Sequence, residues 1–354
     1  MGVEKMRKAN TKVFWVVAFL SLFLLLAAGD GNAAPGNWPR SLSFPSGRIG
    51  TSVYAIVVGM SDLITKYVGV KTVPEAGSPG KNVILLHKKG AELALGDTNV
   101  SYLSARGLED YKDYGKMNIR LLFSNSVPTP FAFLTRRDAN IRSVTDLKGK
   151  KVMCIYTPNP TFTVGGNMLF EAVGMTRADV TPVSYSGHQE GDAALKERRI
   201  AAYIHVQTVT SVIPFIQELN TEVPLRIVGV PEEKLNAVLP KYPYFSKATV
   251  PAKIYGELID NKDMVGAGLV DVMLCGGHLP EDLVYEVMKA IFNHVGELLP
   301  VHPIARVWME NPLLMTPVLP YHAGAIKYYK ERKLWTEALE NKQKRLLVEL
   351  GAER

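Results

Sequence analysis

Three short turns carry the residue types that could grip a small molecule. "GRIGTS" at 47–52, "GSPGKN" at 77–82 and "TPNPTFT" at 157–163 each lie where an apolar, strand-like run gives way to a helical pattern. At such a junction the first N–H groups of the helix have no partner inside it, and glycine lets a ligand approach the backbone. Short hydroxyl and amide side chains add donors and acceptors. The same residues are ordinary helix caps, so each turn alone supports either role. Three of them in successive strand and helix units point to a ligand cleft beyond the carboxyl ends of the strands.

Other chemistries lack their residues. A phosphate loop fails because Glu75 stands where the first glycine is needed and Asn82 where the hydroxyl is needed, and "GAGLVD" at 266–271 lacks the third glycine of a dinucleotide fingerprint. His87, His188, His205, His278, His294, His302 and His322 include no His-Glu-x-x-His and no close pair, so each is expected to be structural. There is no Gly-x-Ser-x-Gly elbow, and carboxylates such as Asp97, Glu190 and Asp192 are too scattered to pair by spacing. Neither catalysis, metal nor cofactor is expected.

The elements that must position the turns alternate. "RSLSFPSG" reads as a strand, followed by a helix in which Val53, Ile56, Val57, Met60, Leu63, Ile64 and Tyr67 recur at three- and four-residue steps. "GVKTVPEAG" is a second strand, then a short helix stops at Gly90 before a strand at Leu93 to Leu95. Strands are expected at Ile119 to Phe123, Phe131 to Thr135 and Lys151 to Tyr156, with a helix from Val164 to Val173 and then "DVTPVSYS", "EGDAALKERR" and "IAAYIHV" as strand, helix and strand. Such alternation predicts an α/β sheet with helices on its faces, and a fresh α/β unit near residue 136. Further on, Pro280 and Glu281 suit a first helical turn, and "LWTEALENKQKRLLVEL" reads as a solvated surface helix.

The 354 residues are 47% hydrophobic and 21% charged, a globular composition with room for one large domain or two ordinary ones. "KMRKANTK" followed by "VFWVVAFLSLFLLLAAG", with Gly31 and Ala33 before a possible cut at Ala34, has the form of an export signal, and no cysteine near that cut supports a lipid anchor. An uncleaved anchor is the alternative. Without this segment the formal charge falls from +7 to +5, and no basic stripe suited to nucleic acid remains. Cys154 and Cys275 sit in apolar runs, which favours core thiols over a disulfide.

Taken in order, "GRIGTSVY", "EAGSPGKNVILLHKKGAELAL", "VTDLKGKKVMCIYTPNPT", "LFEAVGM", "ALKERRIAAYIHV", "DLVYEVMKAIF" and "YHAGAIKYY" resemble the TAXI family of solute receptors, which serve tripartite, ATP-independent TRAP transporters. The resemblance spans nearly all of the chain after residue 33. It implies a two-lobe, type II periplasmic-binding-protein-like α/β fold, with crossing strands and one small solute enclosed by hinge closure. Residues 34–133 and 258–354 would form one lobe and 134–257 the other, after a signal peptide at 1–33. The family's Gly-x-x-Gly-x-x-Tyr turn falls on Gly47, Gly50 and a displaced Tyr54, with Arg48, Thr51 and Ser52 beside them, and its Gly-Ser-x-x-Asn turn on Gly77, Ser78 and Asn82.

Its Gly-Ser-Gly-Thr turn falls on Pro158, Asn159, Pro160 and Thr161, and its Ile-Asp-Ala on Ile200, Ala201 and Ala202. Two prolines in place of glycines remove backbone donors. Side chains of Thr157, Asn159, Thr161 and Thr163 are then expected to supply hydrogen bonds, with Tyr156 or Phe162 as an aromatic wall and Gln207 as a further contact. Arg48 is placed to clamp a carboxylate. The resemblance thus implies a monomeric periplasmic receptor for an organic anion that delivers to a TRAP permease. A receptor of an ATP-driven importer, or a sensory receptor, would share the scaffold.

Overall fold

A computed structural model describes residues 36–352 apart from 126, 303, 304, 311 and 315. The expected export signal lies outside the described residues. The chain divides after Trp38 into two units; of the first only residues 36–38 are described, a turn, and the second holds all the strands and helices named for this protein.

The strands in chain order are β1 (Ser41–Pro45), β2 (Lys71–Glu75), β3 (Leu93–Asp97), β4 (Ile119–Ser124), β5 (Thr129–Arg136), β6 (Lys151–Tyr156), β7 (Thr181–Tyr185), β8 (Ala202–Val206), β9 (Leu225–Val228), β10 (Ser246–Val250), β11 (Met264–Leu269) and β12 (Asp271–Gly276). They build two α/β lobes on one plan. In the first, β1 pairs in parallel with β2 and runs beside β3, while β12 lies antiparallel between β3 and β4. In the second, β6 lies between its parallel neighbours β7 and β8, while β5 lies antiparallel between β8 and β9. Each lobe therefore reads second, first and third strand, then an antiparallel strand, then the fourth.

The antiparallel strands are the ones that cross between lobes. β5 follows β4 in the chain yet pairs in the second sheet, and β12 follows β11 yet pairs in the first. Asn125 N donates to Asp271 O at 3.1 Å, which ties the two crossings together, and Thr98 N donates to Val270 O at 3.0 Å, which ties the second crossing to the end of β3. β10 and β11 extend the second sheet beyond the start of β5.

Local chemistry explains most boundaries. Helix Ser52–Val68 buries Ile56, Val57, Met60, Leu63 and Ile64 on one stripe, is capped by the Thr51 hydroxyl and stops at Gly69. β3, β4 and β5 are buried almost throughout, as expected for strands covered on both faces.

Four boundaries or roles differ from expectation. Helix Pro160–Ala172 starts before Val164, because Asn159 caps it and Pro160 takes the first position, where a missing N–H costs nothing. Pro280 is the cap of helix Glu281–Asn293 and not part of its first turn. Helix Thr98–Arg106 was hidden by its polar start and is set by the Asp97 cap. The last helix, Glu337–Leu350, buries Leu339, Gln343, Leu346 and Leu350, and the Gln343 amide exchanges hydrogen bonds with the Tyr321 backbone at 2.9 and 3.0 Å. One face of this amphipathic surface helix is therefore a packing face, while Lys344, Arg345, Val348 and Glu349 stay exposed on the others.

Cys154 and Cys275 are buried free thiols, and burial raises the Cys154 pKa to about 11. Among the described residues no helix is long and apolar enough to cross a membrane.

The crossing leaves no room at Gly268, where a Cβ would overlap the Thr129 carbonyl oxygen across the β5–β11 pair. Gly268→Ala should cost about 3 kcal/mol, since backbone cannot swing aside as a side chain can. Gly296→Ala, which meets nothing within 4 Å, should be neutral or slightly stabilising. Urea midpoints of the two variants check this; equal midpoints would mean the crossing is not tightly packed.

Candidate functional site

The first two turns are strapped to each other. Gly50 adopts a left-handed φ of 87°, and the Thr51 hydroxyl donates to Arg48 O at 2.7 Å while accepting from Tyr54 N at 3.3 Å. Gly77 N donates to Gly47 O at 3.0 Å. The Asn82 amide accepts from Ser78 N at 3.2 Å and shares its two N–H groups among Ser46 O, Leu95 O and Pro45 O at 2.9, 2.8 and 3.3 Å. Asn82 is fully buried and has no polar atom left over, so its expected ligand contact is replaced by a structural one: it binds the ends of β1 and β3 together. Ser52, Tyr54 and Ser78 remain partly exposed, and no side-chain cap is made by Ser78.

The third turn is also largely self-engaged. Thr163 Oγ1 accepts from Tyr156 N at 3.1 Å, and the Thr157 N–H and hydroxyl both reach Tyr185 O, at 3.1 and 3.3 Å. The Phe162 ring meets Tyr156, Phe131 and His205 at centroid distances of 4.7, 5.6 and 5.7 Å, so both expected aromatic residues share one wall.

The lobes meet at Asp97. Its carboxylate, fully buried at the end of β3, accepts from Val100 N at 2.9 Å within the first lobe and from Asn159 Nδ2 at 3.0 Å in the second. Thr161 Oγ1 lies 3.0 and 3.1 Å from the two Asp97 oxygens and 3.1 Å from Asn99 Oδ1. A hydroxyl has one proton, and the carboxylate is the stronger acceptor for it. Burial raises the Asp97 pKa, and hydrogen bonds from Val100 N, Asn159, Thr161 and Asn99 N oppose that rise. Directly across the β3–β12 pair lies Asp271, whose pKa burial, helped by the Asp97 charge, pushes up to about 7.

A second bridge runs through Arg48, whose Nη1 donates to Ser186 O at 2.8 Å just past β7. The guanidinium also lies against the Tyr156 hydroxyl and near His188, where burial and then the Arg48 charge lower the His188 pKa. The arginine expected as a clamp thus already spans the two lobes, with donors beyond Nη1 in its planar fork.

Gln207 completes the set. It follows the last residue of β8 and is fully buried, and neither Oε1 nor Nε2 has a hydrogen-bond partner. β8 pairs in parallel with β6 at Ala202 and Tyr203, so Gln207 lies at the loop end of the same sheet. On its other side its N–H donates to Pro130 O at 2.7 Å.

The three polar turns were legible in the sequence, whereas Asp97 as the meeting point, with Asn99, Ser186 and Asp271, was not. An acid directly after a buried strand and before "TNVS" is a cap signal, and it was the one available clue to Asp97.

Elsewhere, a hollow of about 530 Å³ on the first lobe is lined by Arg120, Glu281, His322, Lys330, Glu340 and Lys344. Lys330 and Glu340 pair there at 3.1 Å, and His322 is a satisfied core histidine that caps helix Ala323–Glu331. It lies away from the strand ends where the two lobes meet. Among the described residues no group of three or more His, Cys, Asp or Glu side chains could hold a metal.

Two lobes of this strand order, crossed twice and facing each other with their loop ends, define the type II periplasmic-binding-protein-like fold. The chain belongs to the NMT1-like family, which matches over residues 44–332. Similar solved structures include the periplasmic aliphatic sulphonate binding protein SsuA from Escherichia coli, with 13% identity, TM-score 0.45 and coverage of 86% of this chain and 97% of that one. The alkanesulfonate-binding protein SsuA from Xanthomonas axonopodis pv. citri, bound to MOPS, has 14% identity, TM-score 0.44 and coverage of 88% and 98%. An ancestral arginine-binding protein bound to arginine has 12% identity, TM-score 0.42 and coverage of 76% and 97%.

The acid pair makes stability depend on pH. A carboxyl whose folded pKa lies above its unfolded value of about 3.9 binds its proton more tightly in the folded state, so its contribution is full below that pH and is lost as pH rises toward 7. Asp271→Asn should therefore raise stability at pH 7.5 by no more than about 4 kcal/mol and change little at pH 4.5. Urea unfolding of both proteins at the two pH values measures it. A variant destabilised at pH 7.5 would show that the Asp271 charge is welcome where it stands.

Proposed function

We propose that this protein is an extracytoplasmic receptor that encloses one small organic solute, with an anionic group, between its lobes and hands it to a membrane importer. The observation that carries this reading is the polar seam at the strand ends. Asp97 of one lobe is held by Asn159 and Thr161 of the other, and at the loop end of β8 a buried glutamine amide has no partner. A seam kept only for stability would be apolar, because buried polar groups cost free energy unless they are satisfied.

Ligand contacts in this reading come from Arg48, Ser52 and Tyr54 of the first turn, Ser78 of the second, the Tyr156 and Phe162 wall, Thr161 and Gln207. In this reading the lobes divide at the crossings, after Asn125 and at Val270, a division supported over 133/134 and 257/258 by the pairing of β5 from Thr129 and of β11 to Leu269 in the second sheet. Opening and closing then bends these two connections.

The membrane partner proposed first is the permease of an ATP-driven importer. Membership of the NMT1-like family gives a tripartite partner no support of its own, and a TRAP permease rests on the motif order alone. Periplasmic location follows from the receptor role and the leader-like first 33 residues. The reading is one of binding without turnover, by a monomer.

A thermal-shift screen against organic acids, amino acids and aromatic carboxylates tests it. A solute at 100 times its Kd should stabilise the fold by about 2.7 kcal/mol, a rise of a few degrees. Arg48→Ala should weaken an acid hit roughly 10- to 100-fold, the loss of charge-assisted hydrogen bonds. Undiminished binding by the variant removes Arg48 from the site, and chemical change of a bound ligand on incubation would replace the receptor reading with an enzyme.

A further inference from the structure

We infer that the site selects a solute with a carboxamide-type edge, a donor and an acceptor side by side, which pairs with the Gln207 amide while the anionic end lies toward Arg48. The inference rests on the receptor reading and narrows it.

Gln207 is fully buried with both Oε1 and Nε2 unpaired, an unusual state for a native side chain, which has at least one partner in the large majority of cases. Its place is at the loop end of β8, beside the start of β5. It lies past the carboxyl end of β8, with its N–H on Pro130 O, and alternation along β8 puts it on the face that carries His205. The His205 ring meets Phe162 and Phe215 edge-on, at 5.7 and 4.9 Å, and Phe215 stacks on His188 at 4.1 Å. His188 in turn lies near Arg48. A path of named side chains therefore joins His205, on the Gln207 face of β8, to the arginine bridge.

The two amide atoms ask for opposite things. Nε2 needs an acceptor and Oε1 needs a donor. A carboxylate has no donor, so it can satisfy Nε2 only and would set its charge against Oε1. It would also add a negative charge next to the turn that holds Asp97, which Asn159 and Thr161 already bind. A single hydroxyl can meet one amide atom well but not both. A carboxamide, or a group with the same edge, meets both.

The test uses matched probes that keep one carboxylate for Arg48 and change the other end: succinate against succinamate, and terephthalate against 4-carbamoylbenzoate. Titration calorimetry on the wild-type protein should favour the amide of a pair by about tenfold or more, the scale of one lost hydrogen bond. Gln207→Met, which keeps length and volume, should abolish that preference. The same variant without ligand should melt no lower than wild type, because it removes a group that has no partner.

An unliganded Gln207→Met protein that melts several degrees lower would mean the amide is satisfied inside the protein, for instance by a buried water, and would overturn the inference. Tighter binding of the diacids overturns it too and leaves the receptor reading standing. A protein that binds neither these probes nor any member of the broader acid and amino-acid panel overturns both.

Discussion

A carboxylate removed from water must be given donors or surrender its charge, and at Asp97 the donors come from both lobes. Val100 N is supplied by the helix that Asp97 itself caps, while Asn159 Nδ2 and Thr161 Oγ1 come from the first turn of a helix in the other lobe. The rest of the site depends on this constraint. The third turn must lie over the end of β3, which brings Phe162 and Tyr156 to the seam and leaves Arg48 opposite Ser186. Asp271 sits beside Asp97 as a second carboxyl competing for the same scarce solvation.

The strength of that seam suits a joint that must part. A typical intramolecular hydrogen bond contributes about 1 kcal/mol net, because water replaces it when it breaks. The contacts between the lobes are mostly polar, with one ring contact, Tyr102 against Tyr244 at 5.3 Å, and the covalent links are two short crossings. Lobes joined this way separate at a cost of a few kcal/mol, which a small solute with several hydrogen bonds can offset. By contrast each lobe is closed internally by buried strands and aromatic clusters such as Phe133 with Phe170 and Phe123 with Trp308, which do not exchange with water so cheaply.

Much of this was legible in the sequence where the signal is local. Hydrophobic periodicity found helix Ser52–Val68 and the strands β1 to β8, and turn chemistry found the three loops. The departures have physical causes. Pro160 looked like a loop residue, but a proline at the first helical position is free of penalty, so the helix begins there. Asn82 looked like a ligand contact, but three carbonyl groups from two strand ends converge on its amide, a fact of tertiary structure that no spacing records. Asp97 and Asp271 are 174 positions apart in the chain and adjacent only through the β3–β12 pairing, so their coupling could not be read from either neighbourhood.

The crossing strands also set an order of assembly. Every strand from Thr129 to Leu269 pairs within the second sheet, so that lobe is one continuous piece of chain, while the first sheet is made from the two segments that flank it. β12 must travel back across the whole intervening lobe to lie between β3 and β4. The entropy of closing that loop is far smaller once the intervening chain is compact and its two ends emerge close together, as the Asn125 to Asp271 hydrogen bond places them. The second lobe is in this sense an inserted clasp, whose own folding delivers the final strand to the first.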